Sequence, residues 1–335
     1  MPTRIDARRM QLNAHSEQAA RARQRQLTKP PGSLGRLEEL ACWFAARLGE
    51  VAPAMPRCEI FVFAADHGVA GRGVSAFPQS VTAEMVRNFR AGGAAINVLA
   101  ALADCRLEVV DVGVGRGTRD LSVGAAMSLK EACNAIGEGR RCATESVTRG
   151  TRLLIAGDMG IGNTTAAACL ICAFTGAEPA RVVGRGTGID DDALARKMRI
   201  VSDAVARVRH ASALEIIAEC GGLEIAAMAG LYMQSARLGI PVVLDGYISA
   251  AAALCAVALE PASRNWMLAS HLSAESGHAP ALEALGLTPL LDLKMRLGEG
   301  SGAALALPLI RAALALHRDM ATFSEAGVSR EVTSS

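Results

Sequence analysis

Ile60-Phe-Val-Phe-Ala-Ala-Asp66 is a run of six apolar residues that ends on a carboxylate, with Gly68 two positions further on. Three later runs end the same way. Leu107-Glu-Val-Val reaches Asp111, Leu153-Leu-Ile-Ala-Gly reaches Asp158 and Val242-Val-Leu reaches Asp245, each meeting a glycine within two residues. Short apolar runs separated by longer helical stretches predict strands buried on both faces, and hence an open, mainly parallel sheet with helices on either side. In such a three-layer α/β fold the ligand crevice lies at the carboxyl ends of the strands, where the four acids converge. Some of them only hold loops: Asp111 and Asp245 read as the structural pair, fixing strand-to-helix turns through backbone hydrogen bonds.

The intervening periodicity predicts helices over 82–102, 163–174, 191–208, 223–238, 249–259 and 301–317, the last bent at Pro308. Another, Arg36 to Leu48, follows the stiff loop Lys29-Pro-Pro-Gly-Ser-Leu-Gly35, which cannot itself be helical. Neither chain end contains strand-like runs. Residues 51–290 are therefore expected to form a large Rossmann-like domain, with 1–50 and 291–335 forming a smaller helical lobe; the polar tail 324–335 should fray.

The chain has 335 residues, 51% of them hydrophobic, enough for a large core. With 35 basic against 33 acidic residues and 3% aromatics, it lacks the basic, aromatic-laced patch that nucleic acid requires. Met1 to Gln26 is rich in Arg and Gln with no apolar stretch, which excludes a secretory signal and makes a cytoplasmic location the default. Apolar runs such as Ile248 to Leu259 fall short of the roughly 18 residues that a membrane span needs. Nine scattered cysteines and six dispersed histidines fit a reduced chain without a metal site. The lone Cys169-x-x-Cys172 reads as a structural pair on one helix face.

Arg296-Leu-Gly-Glu-Gly-Ser-Gly302 holds Glu299 between glycines just before a long helix. Glycines allow positive φ and close approach to a ligand, and a helix start presents unpaired N–H groups. Glu299 is thus either catalytic or a carboxylate that complements the helix dipole. Two glycine-rich turns form natural anion sites: Gly157-Asp-Met-Gly-Ile-Gly-Asn-Thr-Thr165, where Asn163 or Thr164 caps a helix, and Gly184-Arg-Gly-Thr-Gly188, followed by Arg196, Lys197 and Arg199. One phosphate between the loops would satisfy both. Neither is a G-x-x-x-x-G-K-[ST] loop nor a dinucleotide fingerprint, so triphosphates and nicotinamide-dependent oxidation are disfavoured.

Seven segments in order resemble one family: Lys29–Gly35, Ala65-Asp-His-Gly-Val69, Gly157–Thr165, Gly222-Leu-Glu-Ile-Ala226, Val243-Leu-Asp-Gly246, Ser270-His-Leu-Ser-Ala-Glu275 and Met295-Arg-Leu-Gly-Glu-Gly-Ser-Gly-Ala-Ala-Leu305. These are similar to the nicotinate-nucleotide:dimethylbenzimidazole phosphoribosyltransferases of cobalamin lower-ligand synthesis. The resemblance implies transfer of 5-phosphoribose from nicotinate mononucleotide to a benzimidazole with inversion. It puts the general base at Glu299, removing the benzimidazole N–H proton. Because the leaving group is already a pyridinium, the family's reaction implies neither an acid nor a metal, and no cofactor.

Many members have glutamate where this chain has Asp158, which leaves that residue as electrostatic support. By the same resemblance, phosphate and ribose would be held around Gly160, Gly162 and Asn163 and by Gly184, Arg185, Gly186, Thr187 and Gly188, with Lys197 as the charged partner. An apolar slot for the base would be lined by Phe77, Met85, Met159 and Leu297, although Phe77 and Met85 read equally as core packing. Asp66 and His67 either support the site or form a hydrogen-bonded strand end, the latter being favoured. A homodimer with its active site near the subunit contact is implied. Two other readings stay open: transfer to another base such as adenine or a phenolic acceptor, and a non-catalytic nucleotide sensor.

Overall fold

The computed structural model describes residues 11–329, so the start of the Arg/Gln-rich segment and the end of the polar tail lie outside the described residues. Five strands form one sheet: β1 (Cys58–His67), β2 (Arg106–Thr118), β3 (Leu153–Met159), β4 (Val242–Leu244) and β5 (Met267–Ala269). Their order is β2-β1-β3-β4-β5 and every pairing is parallel, as the apolar runs require. Ile60 pairs with Leu107 on one side and Ile155 on the other, and Val243 joins Ile155 to Leu268. Strand order reverses between β1 and β3, and the crevice of a doubly wound sheet opens at such a reversal.

Successive side chains point to opposite faces. Phe61, Phe63, Leu154, Ala156, Val242 and Leu244 belong to one buried core with the helices Asn163–Thr175, Leu223–Leu238 and Tyr247–Leu259. Leu223–Leu238 is buried nearly all round and packs on Leu129–Thr148. Glycine sets that crossing: a Cβ on Gly139 would stand 1.7 Å from the Ala227 carbonyl oxygen. The opposite face, through Ile60 and Ile155, receives the turn at Gly300, where an added Cβ would lie 3.4 Å from both isoleucines.

The predicted segment 82–102 is two helices, Ser80–Ala91 and Ala95–Leu102, parted by Gly92, whose φ of 82° ends the first. The helix Ser301–Asp319 runs through Pro308 without a break. Leu129–Thr148, Ala213–Cys220, His278–Leu285 and β5 add to the predicted elements.

Two compact units are present. One takes the chain up to Pro56 and from Ala306 onward; the other is Arg57–Leu305. The expected boundary at 290 is therefore displaced, and residues 291–305, with Glu299, belong to the larger unit rather than the helical lobe. The reason is the seat of the Glu299 turn on the Ile60 and Ile155 face of the sheet. Within the smaller unit, Arg23 Nε donates to the His317 carbonyl at 2.8 Å. His317 Nδ1 meets Gln24 Nε2, and its Nε2 meets the Val51 carbonyl oxygen, both at 2.9 Å. No helix among the described residues is long and apolar enough to cross a membrane.

Candidate active site

Three successive residues with positive φ carry the acid: Gly298 at 84°, Glu299 at 65° and Gly300 at 87°. The two glycines enter this region freely, whereas Glu299 does so at a cost that its surroundings must offset. Two neighbours hold it there. Gly157 of β3 is the first: a Cβ at that position would lie 2.1 Å from the Glu299 carbonyl carbon, so only glycine lets the turn lie on the strand. Asp245 is the second, its Oδ2 accepting from Gly300 N at 3.1 Å and its Oδ1 from Ala303 N at 3.0 Å. The backbone-bonding role expected of Asp245 is thus real, but it caps the helix that follows Glu299 rather than its own strand-to-helix turn. Asp111 holds no strand-to-helix turn: it lies inside β2, and its Oδ1 accepts from Gly113 N and Val114 N where the pairing with β1 shifts register.

The Glu299 side chain is buried, 5% exposed, and its Oε2 accepts from Ile96 N at 3.4 Å, in the first turn of Ala95–Leu102. Burial pushes its carboxyl above the ordinary range; the Ile96 N–H opposes this and the Asp245 charge adds to it. Desolvation therefore outweighs the helix terminus, and the glutamate is a stronger base than one in water.

Asp158, at the end of β3, accepts from Asn163 Nδ2 at 2.8 Å and faces Gly298. Burial and then the Asp245 and Glu224 charges raise its carboxyl far above the usual range, so it holds its proton much more firmly than an exposed aspartate.

Lys197 is fully buried, and its Nζ donates to Thr164 Oγ1 at 2.8 Å and to the Gly184 carbonyl at 3.2 Å. One ammonium thereby ties together the two glycine loops that the sequence singled out. Burial pushes it down to about 8, with Glu275 and Cys169 pulling the other way.

A cavity of about 430 Å³ opens at this end of the sheet. Asp158, Gly160, Asn163, Gly186 and Thr187 line it together with Glu299. Phe77, Met85, Met159 and Leu297 line it too, and the 53% and 56% exposure of Phe77 and Leu297 excludes core packing for either. Met85 is half-buried at the cavity wall and lies outside the buried core.

Besides the buried Lys197, four of the expected residues are not in the cavity wall. Gly162, rather than the expected Asn163 or Thr164, is the N-cap of helix Asn163–Thr175, at positive φ and with no side-chain cap, and Gly188 closes a turn onto the Arg185 carbonyl. Gly184 sits behind the wall, accepting from Lys197 through its carbonyl. The Arg185 side chain turns outward to the Ile189 carbonyl and Asp191, so a phosphate in the cavity is not its partner here. Thr187 Oγ1 accepts from Ala76 N at 2.9 Å, joining its loop to the segment that carries Phe77.

Asp66 and His67 form a bonded strand end, as favoured. Asp66 Oδ2 accepts from Gly115 N at 2.7 Å, and His67 Nε2 meets Glu224 Oε1 at 2.7 Å with both side chains fully buried. Thr164, read from the sequence as a helix cap, also lines the cavity, as do residues that sequence reasoning left without a role: Gly246, Tyr247, His271, Ser273 and Glu275. A readable signal existed, since Ser270–Glu275 stood among the family-like segments, but it follows a strand of only three residues.

Comparison with known proteins agrees over nearly the whole chain. A phosphoribosyltransferase family model matches residues 10–328. The nicotinate-nucleotide–dimethylbenzimidazole phosphoribosyltransferase of Chromobacterium violaceum is 58% identical over 334 residues, covering 95% of this chain and 97% of that protein. The enzyme of the same name from Mycobacterium leprae is 50% identical, covering 96% and 97%. The crystal structure of CobT from Thermus thermophilus superposes with a TM-score of 0.92 at 50% identity, covering 95% of this chain and all of that one. With a doubly wound parallel sheet, a buried carboxylate in the cavity wall, a buried lysine bridging the two glycine loops, and relatives matched over nearly the whole chain, the protein belongs to the nicotinate-nucleotide–dimethylbenzimidazole phosphoribosyltransferase family.

Proposed function

We propose that this protein transfers the 5-phosphoribosyl group of nicotinate mononucleotide to 5,6-dimethylbenzimidazole, with Glu299 as the general base and with inversion at C1′. The observation that carries the reading is the placement of Glu299: its carboxylate lines the cavity while 5% exposed, on a turn held by Asp245 and Gly157, and burial raises it above the ordinary range. In the step proposed, one benzimidazole nitrogen attacks C1′ while the C1′–N bond to the pyridinium breaks. The pyridinium ring takes the bonding pair and leaves as nicotinate. The proton of the other benzimidazole nitrogen passes to Glu299, which balances the charge. Attack on the face opposite the leaving ring gives α-ribazole 5′-phosphate.

The phosphate is assigned to the loops that Lys197 bridges, and the benzimidazole to the slot of Phe77, Met85, Met159 and Leu297. Asp158 faces the site as a carboxyl that a cationic pyridinium would help to ionise. By family likeness we infer a cytoplasmic homodimer acting on small molecules, with no part for nucleic acid.

The test is incubation of the protein with nicotinate mononucleotide and 5,6-dimethylbenzimidazole, following nicotinate and ribazole phosphate by chromatography beside Glu299→Ala. Product from the wild type, nearly lost in the variant, supports both reaction and base. Product from both proteins removes Glu299 from its role. Tight nucleotide binding without product points to another acceptor or to a sensor.

A further inference from the structure

The cavity holds one acid for which the reaction as set out has no use. Glu275 lines the cavity, is 8% exposed, and its Oε2 meets no hydrogen-bond partner among the described residues. A buried carboxylate oxygen without a donor is costly and calls for a partner from outside the chain. The main chain is held in place, Glu275 N donating to Ser273 Oγ at 3.3 Å and the Glu275 carbonyl accepting from His278 N at 3.0 Å. Its side chain lies against the second glycine loop: a Cβ on Gly184 would stand 2.2 Å from Oε2, so glycine there makes the room the carboxylate occupies.

The chemistry of the substrates narrows what Glu275 can receive. Phosphate and the nicotinate carboxylate are acceptors, and the substituted pyridinium nitrogen carries no hydrogen. The benzimidazole N–H is matched to Glu299. Only the ribose 2′- and 3′-hydroxyls remain as donors. Repulsion between Glu275 and a phosphate on the 184–188 loop is offset by Lys197, whose ammonium feels the Glu275 charge.

We propose that Glu275 accepts hydrogen bonds from the ribose hydroxyls of the nucleotide and thereby selects ribonucleotides over deoxyribonucleotides. This rests on the phosphoribosyl-transfer reading above. Glu275 would then set specificity by touching the sugar, and take no part in proton transfer.

The experiment compares nicotinate mononucleotide with its 2′-deoxy and 3′-deoxy analogues on the wild type, Glu275→Gln and Glu275→Ala. Turnover gives kcat/KM and calorimetry gives Kd, while melting curves check that the variants fold. The wild type should favour the ribonucleotide over at least one analogue by about 10- to 100-fold. Glu275→Ala should bring that ratio to within about threefold by losing on the ribonucleotide alone, and Glu275→Gln, which keeps an acceptor, should fall between. Taking the ratio across variants cancels the intrinsic reactivity of the deoxy sugars. An unchanged ratio in both variants overturns the proposal, as does an equal loss on every nucleotide. Should no protein turn over any nucleotide, the reaction reading fails, while the ratio of dissociation constants still decides the role of Glu275.

Discussion

Asp245 holds Gly300: the aspartate Oδ2 accepts the Gly300 amide at 3.1 Å, one residue past Glu299, while its Oδ1 accepts Ala303 N at 3.0 Å. The end of β4 thereby fixes a turn built of three positive-φ residues. The same carboxylate adds to the upward shift of Glu299, so geometry and basicity share one residue. Asp245→Asn serves one amide with its oxygen and sets its NH₂ against the other. We expect a loss of about 1–3 kcal/mol from that unmade bond, and more from Asp245→Ala, by chemical denaturation. A larger fall in kcat than in the affinity for nucleotide is expected as well. A variant that loses stability yet keeps wild-type kcat would show that the Glu299 turn is held without Asp245.

The pH profile follows from Glu299 itself. Only its ionised form can take a proton, and burial raises its carboxyl above the ordinary 4.5. Activity should therefore rise with pH through that raised value, as a one-proton limb above the usual glutamate range. Asp245→Asn removes a neighbouring negative charge and should move the limb to lower pH. Glu299→Gln should abolish most of the activity at every pH. An acid limb that persists unmoved in residual Glu299→Gln activity would assign the titration elsewhere.

How much of this was legible differs from element to element for physical reasons. β1 was readable because a central parallel strand is buried on both faces and carries no polar alternation. β5 was not, since Met267–Ala269 is too short to show any period. Helix Leu129–Thr148 hides its start in a capping box of Ser128 and Glu131, a signal present in the sequence but not followed by a strongly apolar stripe. Glu299 stood out because its glycines are local. Its supports, Asp245 and Gly157, come from strands far away in the chain, and no spacing rule links them. Lys197 stands beside Arg196 and Arg199 in the sequence, and only the folded helix shows which of the three turns inward. Arg185 carried the right charge in the right loop, yet Asp191 six residues on draws it outward.

Lys197 couples binding to protons. In the free protein its ammonium sits at about 8, and it donates to neutral groups, the Thr164 hydroxyl and the Gly184 carbonyl. Glu275 and Cys169 are the charged or titratable groups that face it. A phosphate dianion alongside would raise it, so binding near pH 8.5 should take up a fraction of a proton. Affinity for nicotinate mononucleotide should then weaken as pH climbs from about 8 toward the bound-state value. Titration calorimetry in two buffers of different ionisation enthalpy reads that uptake directly. Lys197→Met should erase it and weaken binding by about 10-fold or more. Zero uptake in the wild type would place the phosphate away from Lys197.

Asp158 makes the converse case for stability. Its folded-state carboxyl is raised far above 3.8 by burial and by the charges of Asp245 and Glu224. Such a group binds a proton more tightly folded than unfolded. Its contribution is therefore fully present below the unfolded value near 4 and is lost as pH rises through the folded value. Asp158→Asn keeps an oxygen for Asn163 Nδ2 while removing the titration. The variant should consequently gain on the wild type as pH increases, by about 1.4 kcal/mol for each pH unit across the window between the two values. Urea denaturation at pH 5 and pH 9 measures the difference. A gap that stays constant, or shrinks with pH, would mean that the aspartate is already ionised in the native protein. Its part in the reaction would then be that of a fixed anion beside the pyridinium rather than a carboxyl that ionises when the substrate arrives.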